Sequence, residues 1–214
     1  MEYANGYAFI FEGDTEKEFY LSLLFYLCEK HNVKLNKNIN NDEPDIAYEL
    51  ITENETSIIK FNTVNAVTQI PRAGKWFNSQ CADKYNSSCV WSVFLCYDTD
   101  DYKSDVTKFH EGDWELLRSS LEKAKIVIDV AAAADIEDIL LGDLAGICAF
   151  IGCDIPEKLH GAKGKSKLKR LYRDNGKTYH EGKRARALID SLNMETLISN
   201  NTVNLSAIET LIFK

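Results

Sequence analysis

Proline is scarce in this sequence, and long apolar runs are missing. Three prolines and eleven glycines among 214 residues exclude a Pro/Gly-rich low-complexity region. No apolar run approaches the roughly 18 residues that a helix needs to cross a bilayer. The first six residues are polar and lead directly into an apolar run, so no secretory signal is recognisable. We therefore expect a cytoplasmic protein that makes no membrane contact.

The common metal and nucleophile motifs are missing as well. The sequence has no CxxC pair, no HExxH spacing and no GxSxG elbow, which argues against a zinc ribbon, a zinc protease and a serine hydrolase. The run at 161–166 resembles a phosphate-binding Walker A loop, but two residues separate its glycines where four are required. We expect reduced thiols, as in cytosolic proteins, for the six cysteines, which are Cys28, Cys81, Cys89, Cys96, Cys148 and Cys153.

Charge is unevenly distributed along the chain. The formal net charge is −8, yet residues 158–186 contain eleven basic and two acidic residues, which leaves that segment at +9 and the rest of the chain at −17. Such a segment is either a solvated helix face or a surface that binds nucleic-acid phosphates without reading sequence. We predict a nucleic-acid partner. The predicted contacts are Lys163, Lys165, Lys167, Lys169, Arg170, Arg173, Lys183, Arg184 and Arg186.

Apolar runs and amphipathic stretches alternate over the first 134 residues. Helices are predicted after Thr15, within 66–88 and from Trp114 onward. Thr15 and Glu18 match the spacing of a helix-capping box. The polar, Asn-rich stretch 34–55 is interpreted as a loop around a short helix. Short apolar runs typical of buried strands lie at 7–11, 57–61, 90–97 and 125–130.

This alternation predicts an α/β fold. Residues 1–134 are expected to form a Rossmann-like parallel sheet of about four strands with helices on both faces. No strand pattern recurs after Ala134, so residues 135–214 are expected to form a helical region that contains the basic segment 158–186.

Acidic residues follow two of the predicted strands. Glu12 comes directly after the first strand, and Asp98, Asp100 and Asp101 follow the third. The carboxyl ends of parallel strands meet at one edge of a sheet, where ligands collect. Clustered carboxylates destabilise a fold unless a cation neutralises them, and hard oxygen ligands suit Mg²⁺ or Mn²⁺. The alternative is that these residues only form turns and cap helices.

The residues around these carboxylates carry a family resemblance. The run from Phe9 to Tyr20, FIFEGDTEKEFY, is similar to the EGxTEKxF signature that opens TOPRIM domains of the OLD and RloB-like type. The run FLCYDTD, ending at Asp100, matches the family's strand that ends in DxD, and residues 135–140 resemble its later acidic helix. The resemblance implies a TOPRIM-like core and a metal-dependent nuclease that hydrolyses phosphodiester bonds in DNA or RNA, tRNA included. It also implies a role in anti-phage defence and a partner ATPase.

The predicted roles follow the chemistry of phosphodiester hydrolysis, in which cations neutralise the phosphate and lower the pKa of the attacking water. Asp98 and Asp100 would hold Mg²⁺ or Mn²⁺, and Glu12 would hold a second ion or act as the general base. A non-catalytic TOPRIM-like binding or regulatory module and a nucleotidyl transferase stay open as alternative functions. The sequence is also compatible with a homo-oligomer. The residues predicted to orient the metal ligands without binding the metal themselves are Glu16, Asp101 and Glu137.

Overall fold

A computed structural model describes residues 3–38, 46–66, 69–85, 88–99, 111–200 and 205–213. The strands are β1 (Asn5–Phe11), β2 (Lys34–Asn38), β3 (Ala47–Ile51), β4 (Thr56–Thr63), β5 (Val90–Asp98) and β6 (Ile126–Ala132). They form one six-stranded sheet in the order β2-β3-β4-β1-β5-β6. The chain therefore has an α/β fold, as predicted.

The four strands predicted from the sequence are present and lie side by side. β1 pairs in parallel with β4 and β5, and β5 pairs in parallel with β6. β3, however, runs antiparallel to both β2 and β4, so the sheet is mixed and has six strands rather than about four. The prediction of a loop around a short helix at 34–55 is wrong. β2 is a polar, largely exposed strand at the sheet edge, so it lacks the apolar run that marks a buried strand.

Helices cover both faces of the sheet, as predicted. One hydrophobic cluster joins Phe9 and Phe94 to the helix at Asp14–Lys30 and to the helices after residue 134. A second joins Ile10 and Leu95 to the helices at Ile70–Phe77 and Glu111–Ser119. Within the described ranges, no helix is both long and apolar enough to cross a membrane. The helices are α1 (Asp14–Lys30), α2 (Ile70–Phe77), α3 (Glu111–Ser119), α4 (Ile136–Leu140), α5 (Leu144–Ile151), α6 (Gly164–Asp174), α7 (Arg186–Ile189), α8 (Met194–Asn200) and α9 (Ser206–Ile212).

Helix α1 begins differently from the prediction. Its N-cap is Gly13, which makes no side-chain cap, so the capping box of Thr15 and Glu18 is wrong. The Thr15 hydroxyl instead accepts a hydrogen bond from the Gly182 N–H at 2.8 Å. Arg186 donates to Glu18 at 3.2 Å. Both polar groups therefore tie the C-terminal region to α1 rather than capping the helix.

Residues after position 134 pack against the sheet. Residues 135–200 and 205–213 contain helices and no strand. Leu168 of α6 and Leu188 of α7 belong to the same hydrophobic cluster as Phe9 and Phe11 of β1. The domain boundary at residue 134 stays a prediction.

Candidate functional site

The carboxyl ends of β1 and β5 bring two predicted site residues together. Phe11 is paired with Cys96, so Glu12 follows β1 beside the end of β5. Glu12 is only 3% exposed. Its Oε2 accepts a hydrogen bond from the Asp98 N–H at 3.1 Å, and its own N–H donates to the Cys96 carbonyl at 2.9 Å. The Glu12 carboxylate is therefore fixed across the ends of two neighbouring strands.

Glu16 lies in the first turn of α1, close to the same edge. Its side chain is buried, and its Oε2 lies 2.9 Å from the position that a Cβ on Gly13 would occupy. The carboxylate therefore folds back over the turn between β1 and α1. Gly13 has an extended backbone, and a Cβ there would meet only the end of the flexible Glu16 side chain, so neither feature requires glycine.

Two further carboxyl groups follow β6, the strand next to β5. Asp135 caps the N-terminus of α4 and accepts a hydrogen bond from the Asp138 N–H at 3.2 Å. Its two oxygens also accept the Lys165 N–H at 3.0 and 3.1 Å. Glu137 is 1% exposed, and its Oε1 accepts a hydrogen bond from the Tyr179 hydroxyl at 3.0 Å. Asp135 and Glu137 are thus held in place by the C-terminal region.

Burial raises the pKa values of three of these carboxyl groups. Burial, and then repulsion from the other four carboxyl groups, raise the pKa of Asp98 to about 10. Burial is also the main reason why the pKa of Asp135 rises to about 6 and that of Glu137 to about 7. Without a bound cation, burial and the neighbouring carboxyl groups therefore favour the protonated form of the Asp98 carboxyl group. The residues that we call the carboxylate cluster are Glu12, Glu16, Asp98, Asp135 and Glu137.

The carboxylate cluster contains buried oxygens that have no hydrogen-bond donor among the described residues. Asp98 Oδ1 and Glu137 Oε2 are buried and accept no hydrogen bond from any residue that the structure describes. A buried oxygen without a donor destabilises a fold by about 1–3 kcal/mol, and more when it is charged. In the described ranges, no three Asp, Glu, His or Cys side chains already stand in an arrangement that could hold a metal ion. The predicted ligand Asp100 and its neighbour Asp101 lie outside the described residues.

Asp135 was not among the predicted site residues, although a signal for it exists. It follows the fourth parallel strand as Glu12 follows the first, so the rule that ligands collect at the carboxyl ends of strands applies to it equally. The sequence prediction applied that rule only to β1 and β5. Glu137, which was predicted from the acidic helix, is brought to the cluster by α4.

The N-terminus of α6 binds carboxylates of its own chain. The Gly164 N–H donates to Asp138 Oδ2 at 2.9 Å, beside the contact of the Lys165 N–H with Asp135. A Cβ on Gly164 would lie 2.2 Å from the Asp138 backbone nitrogen, so only glycine fits. The run at 161–166 that resembles a phosphate-binding loop thus uses its backbone donors to fasten α6 to α4.

Most of the predicted nucleic-acid contacts are ion-paired within the chain. Lys165 and Lys169 bind Glu181, at 2.8 and 2.5 Å. The other ion pairs are Lys167 with Asp138 at 3.1 Å, Arg170 with Asp174 at 3.0 Å, and Arg186 with Glu18 at 3.2 Å and Asp190 at 2.7 Å. Lys163 immediately precedes α6. Arg173, Lys183 and Arg184 are exposed and form no ion pair with a described residue.

A cavity of about 880 Å³ lies at the opposite edge of the sheet. It is lined by the amino ends of three parallel strands, at Asn5, Val90 and Ile126, and by Phe213 after α9. None of the carboxylate cluster lines it. The concave surface and the concentrated charge are therefore separate features of the molecule, and the chemistry of the cluster makes it the candidate site.

Comparisons with known proteins yield only distant structural likenesses. No family model matches the chain, and no curated protein matches it. The structure of futalosine hydrolase from Helicobacter pylori strain 26695 has 9% identity and a TM-score of 0.28, over 94% of this chain and 95% of that chain. The 5'-methylthioadenosine/S-adenosyl homocysteine nucleosidase of Campylobacter jejuni has 12% identity and a TM-score of 0.27, over 97% of both chains.

These comparisons correct the functional prediction. The prediction of a metal-dependent nuclease is wrong by this finding, because the structural neighbours are a futalosine hydrolase and a nucleosidase rather than nucleases. Those neighbours are hydrolytic enzymes. At TM-scores of 0.27–0.28 they carry no argument about the substrate or the catalytic residues of this chain. The resemblance to TOPRIM domains stays a prediction.

Proposed function

We propose that this chain is a hydrolytic enzyme whose carboxylate cluster holds Mg²⁺ or Mn²⁺. The observation that supports the proposal is the convergence of five carboxyl groups at the carboxyl edge of the parallel strands. Among their oxygens, Asp98 Oδ1 and Glu137 Oε2 are buried without a donor from the described residues. Because no described residue donates a hydrogen bond to them, these oxygens are suited to bind a cation.

The charge of the cluster favours a divalent ion. Buried carboxylates that repel one another are relieved either by protons or by a cation, and the raised pKa of Asp98 reflects the first of these. A divalent cation would displace that proton, and carboxylate oxygens are the ligands that Mg²⁺ and Mn²⁺ prefer. Glu12, Glu16 and Asp98 would hold the ion, because they share the β1 and β5 edge. Their side chains would have to draw together to do so.

The remaining carboxyl groups suit proton transfer. A bound divalent ion would supply a water molecule of lowered pKa. Glu137 has a pKa of about 7, raised chiefly by burial, so it gains and loses a proton near neutral pH as a general base or acid must. Tyr179 holds Glu137 Oε1, which leaves Oε2 for the exchanged proton.

A second candidate function is hydrolysis of a glycosidic bond by the carboxyl groups alone. That reaction uses one protonated carboxyl as the acid and one ionised carboxylate as the base or nucleophile. The observation that favours it is the pair of pKa values, about 6 for Asp135 and about 7 for Glu137, which leaves both groups partly protonated near neutral pH. Metal dependence distinguishes this candidate from the first.

Metal binding is tested by titrating Mn²⁺ into the wild type, Asp98→Asn and Glu12→Gln, with calorimetry and thermal denaturation. The matched control is Asp174→Asn, an exposed carboxylate that pairs with Arg170 on α6. Ions at 100 times the dissociation constant should stabilise the wild type and the control by about 2.7 kcal/mol. The two cluster variants should lose more than about tenfold in affinity. An equal Mn²⁺ response in all four proteins would contradict the site.

Activity is tested separately with p-nitrophenyl esters and p-nitrophenyl glycosides, in Mn²⁺ and in EDTA. Hydrolysis that needs Mn²⁺ and disappears in Asp98→Asn supports the first candidate. Glycoside hydrolysis that persists in EDTA and disappears in Glu137→Gln supports the second. Mn²⁺ binding without hydrolysis of either class would leave the cluster as a cation-binding site without this chemistry.

A further inference from the structure

Two cysteines lie together at the end of α5, away from the residues of the carboxylate cluster. The helix ends at Ile151 and is followed by Gly152 in the left-handed conformation, with φ of 70°. The Gly152 N–H donates to the Ala149 carbonyl at 3.2 Å, and the Cys153 N–H donates to the Cys148 carbonyl at 3.0 Å. These two bonds form a Schellman motif.

The motif determines which side chains meet. In a Schellman motif the residue after the left-handed glycine contacts the residue five positions earlier, and this contact is usually between two apolar side chains. Here both positions are cysteine, at 148 and 153. Cys148 is part of the hydrophobic cluster that contains Phe9 and Phe94, and Cys153 packs against that cluster. The motif therefore brings together the two residues that a disulfide would join.

The two thiols differ in exposure. Cys148 is 2% exposed and packs in the hydrophobic cluster beneath the helices, whereas Cys153 is partly exposed. Burial, and then the neighbouring Cys153 thiol, raise the pKa of Cys148 to about 11. An oxidant from solution therefore reaches Cys153 first, and Cys148 is the thiol beside it.

We propose that Cys148 and Cys153 are a modification site at which a small disulfide such as oxidised glutathione forms an intramolecular disulfide bond. The Cys153 thiolate attacks one sulfur of oxidised glutathione, which forms a mixed disulfide and releases one glutathione thiolate. Cys148 then loses its proton, its sulfur attacks that of Cys153, and the second glutathione leaves. Two protein thiols are oxidised, and one glutathione disulfide is reduced to two thiols.

The chain offers a clean readout of this reaction. Residues 126–158 end at Lys158, follow Lys125 and contain no other lysine or arginine, so trypsin releases one peptide that holds both cysteines. The other four cysteines, at 28, 81, 89 and 96, lie outside that peptide. The folded, reduced full-length chain is exposed to oxidised glutathione at neutral pH. It is then quenched in acid, labelled with N-ethylmaleimide under denaturing conditions and digested for mass spectrometry.

We expect the wild-type peptide to lose two hydrogens and to take up no label. In Cys148→Ser it should instead retain glutathione on Cys153, because the second thiol is missing. In Cys153→Ser the peptide should carry the maleimide label on Cys148 and little glutathione, because Cys148 is buried during the oxidation. Cys89→Ser is the matched control and should behave as the wild type. Thermal denaturation of each variant shows that it is folded before oxidation.

Two outcomes would overturn the proposal. In the first, the wild-type peptide still carries two labels after oxidation that modifies cysteine peptides elsewhere in the chain. In the second, the wild type retains glutathione on Cys153 as stably as Cys148→Ser does, which would mean that Cys148 does not displace it. Neither outcome depends on the carboxylate cluster, so the test is independent of the proposed enzyme activity.

Discussion

The carboxylate cluster and the basic segment 158–186 are the two charged regions of this molecule, and they differ in how their charge is balanced. In the cluster, burial and then repulsion from the other four carboxyl groups raise the pKa of Asp98. In the basic segment, Lys165, Lys169 and Arg186 are among the residues already paired with carboxylates of the same chain. The basic segment is the more conspicuous of the two in the sequence, yet the fold neutralises its charge better than that of the carboxylate cluster.

The difference shows why a count of charges along a sequence is a poor guide to function. A charge that the fold pairs contributes little to the field outside the protein. A carboxylate that the fold buries beside other carboxylates needs a proton or a bound cation to relieve the repulsion. The unbalanced region is therefore the better indicator of a site, although its sequence signal is only a few acidic residues after strands. The predictions below alter one region at a time and compare the result with the other.

The largest expected effect comes from Gly164→Ala, which breaks the junction between the two regions. The added Cβ would meet the Asp138 backbone nitrogen at 2.2 Å, and backbone atoms do not move aside as a flexible side chain would. We expect a loss of about 1–3 kcal/mol in the free energy of unfolding, as for other overpacked sites. Urea denaturation measures it. Lys169→Ala, an exposed change on the same helix, is the control and should cost less than 1 kcal/mol, about the upper end for a surface ion pair. Equal losses would mean that Gly164 does not fasten α6.

The second prediction concerns how the free energy of unfolding depends on pH in the absence of metal. Folding raises the pKa of Asp98 to about 10, of Asp135 to about 6 and of Glu137 to about 7. The folded state therefore binds more protons than the unfolded state above about pH 4, and the cluster's contribution to stability falls as pH rises. Asp135 and Glu137 should lose theirs by about pH 7, and Asp98 should continue to lose its contribution toward about pH 10.

Urea denaturation in EDTA between about pH 5 and about pH 8 checks this, with Asp98→Asn and Glu137→Gln compared with the wild type. Each variant should show a shallower fall in stability with pH, because one titrating group is gone. Saturating Mn²⁺ should also flatten the wild-type profile, since the ion replaces the protons. Asp174→Asn, which removes an exposed carboxylate outside the cluster, should leave the profile unchanged. A wild-type pH profile that is as steep in Mn²⁺ as in EDTA would contradict Mn²⁺ binding at these carboxyl groups.

The third prediction compares paired with unpaired cations in the basic segment, and it tests the prediction from the sequence that this segment binds nucleic acid. Lys183 and Arg184 are exposed and have no ion pair among the described residues, whereas Lys169 and Arg170 each have one. Each lost phosphate contact should lower the slope of log K against log salt by about 0.7–0.9. The double alanine variant at 183 and 184 should therefore change the slope more than the double variant at 169 and 170.

Fluorescence titrations with single-stranded DNA, duplex DNA and tRNA at several salt concentrations measure the two slopes. Equal changes in both variants would mean that the ion pairs open when nucleic acid binds. An unchanged slope in both would mean that the basic segment is a solvated face or a docking surface for an acidic protein. Mn²⁺ binding at the carboxylate cluster should be the same in either variant and serves as the control for folding.

The parallel part of the fold could be predicted from sequence because its signals are local. Phe9 and Phe94 lie in continuous apolar runs of strands that are buried on both faces, and such runs mark central parallel strands. β2 and β3 could not be predicted in the same way. Their pairing is set by the register of β4, and β2 is polar because it lies at an edge. The missing information is non-local.

The same distinction applies to the candidate site. Glu12 and Asp98 could be predicted because each directly follows or ends a strand, and Asp135 could have been found by that rule. The ion pairs could not. Arg186 and Glu18 are 168 residues apart, so no sequence spacing indicates that they meet. The Cys148 and Cys153 pair has a local signal, since a glycine directly precedes the second cysteine, but that signal has meaning only at a helix end.

The smallest expected effect distinguishes exposed from partly buried ion pairs within α6. Arg170 and Asp174 are each 50% exposed and four residues apart, so Arg170→Ala should cost only about 0.3–0.5 kcal/mol. Lys167 and Asp138 are 23% and 16% exposed, and this pair links α6 to α4 beside the Gly164 contact. Lys167→Ala should therefore cost more. Urea denaturation at low and high salt separates the two, because salt screens an exposed pair and affects a partly buried pair much less. The Arg170→Ala difference should vanish at about 1 M salt, whereas the Lys167→Ala difference should persist. If both vanish together, the Lys167 ion pair does not help to hold α6 against α4, and the hydrogen bonds of Gly164 and Lys165 carry that junction.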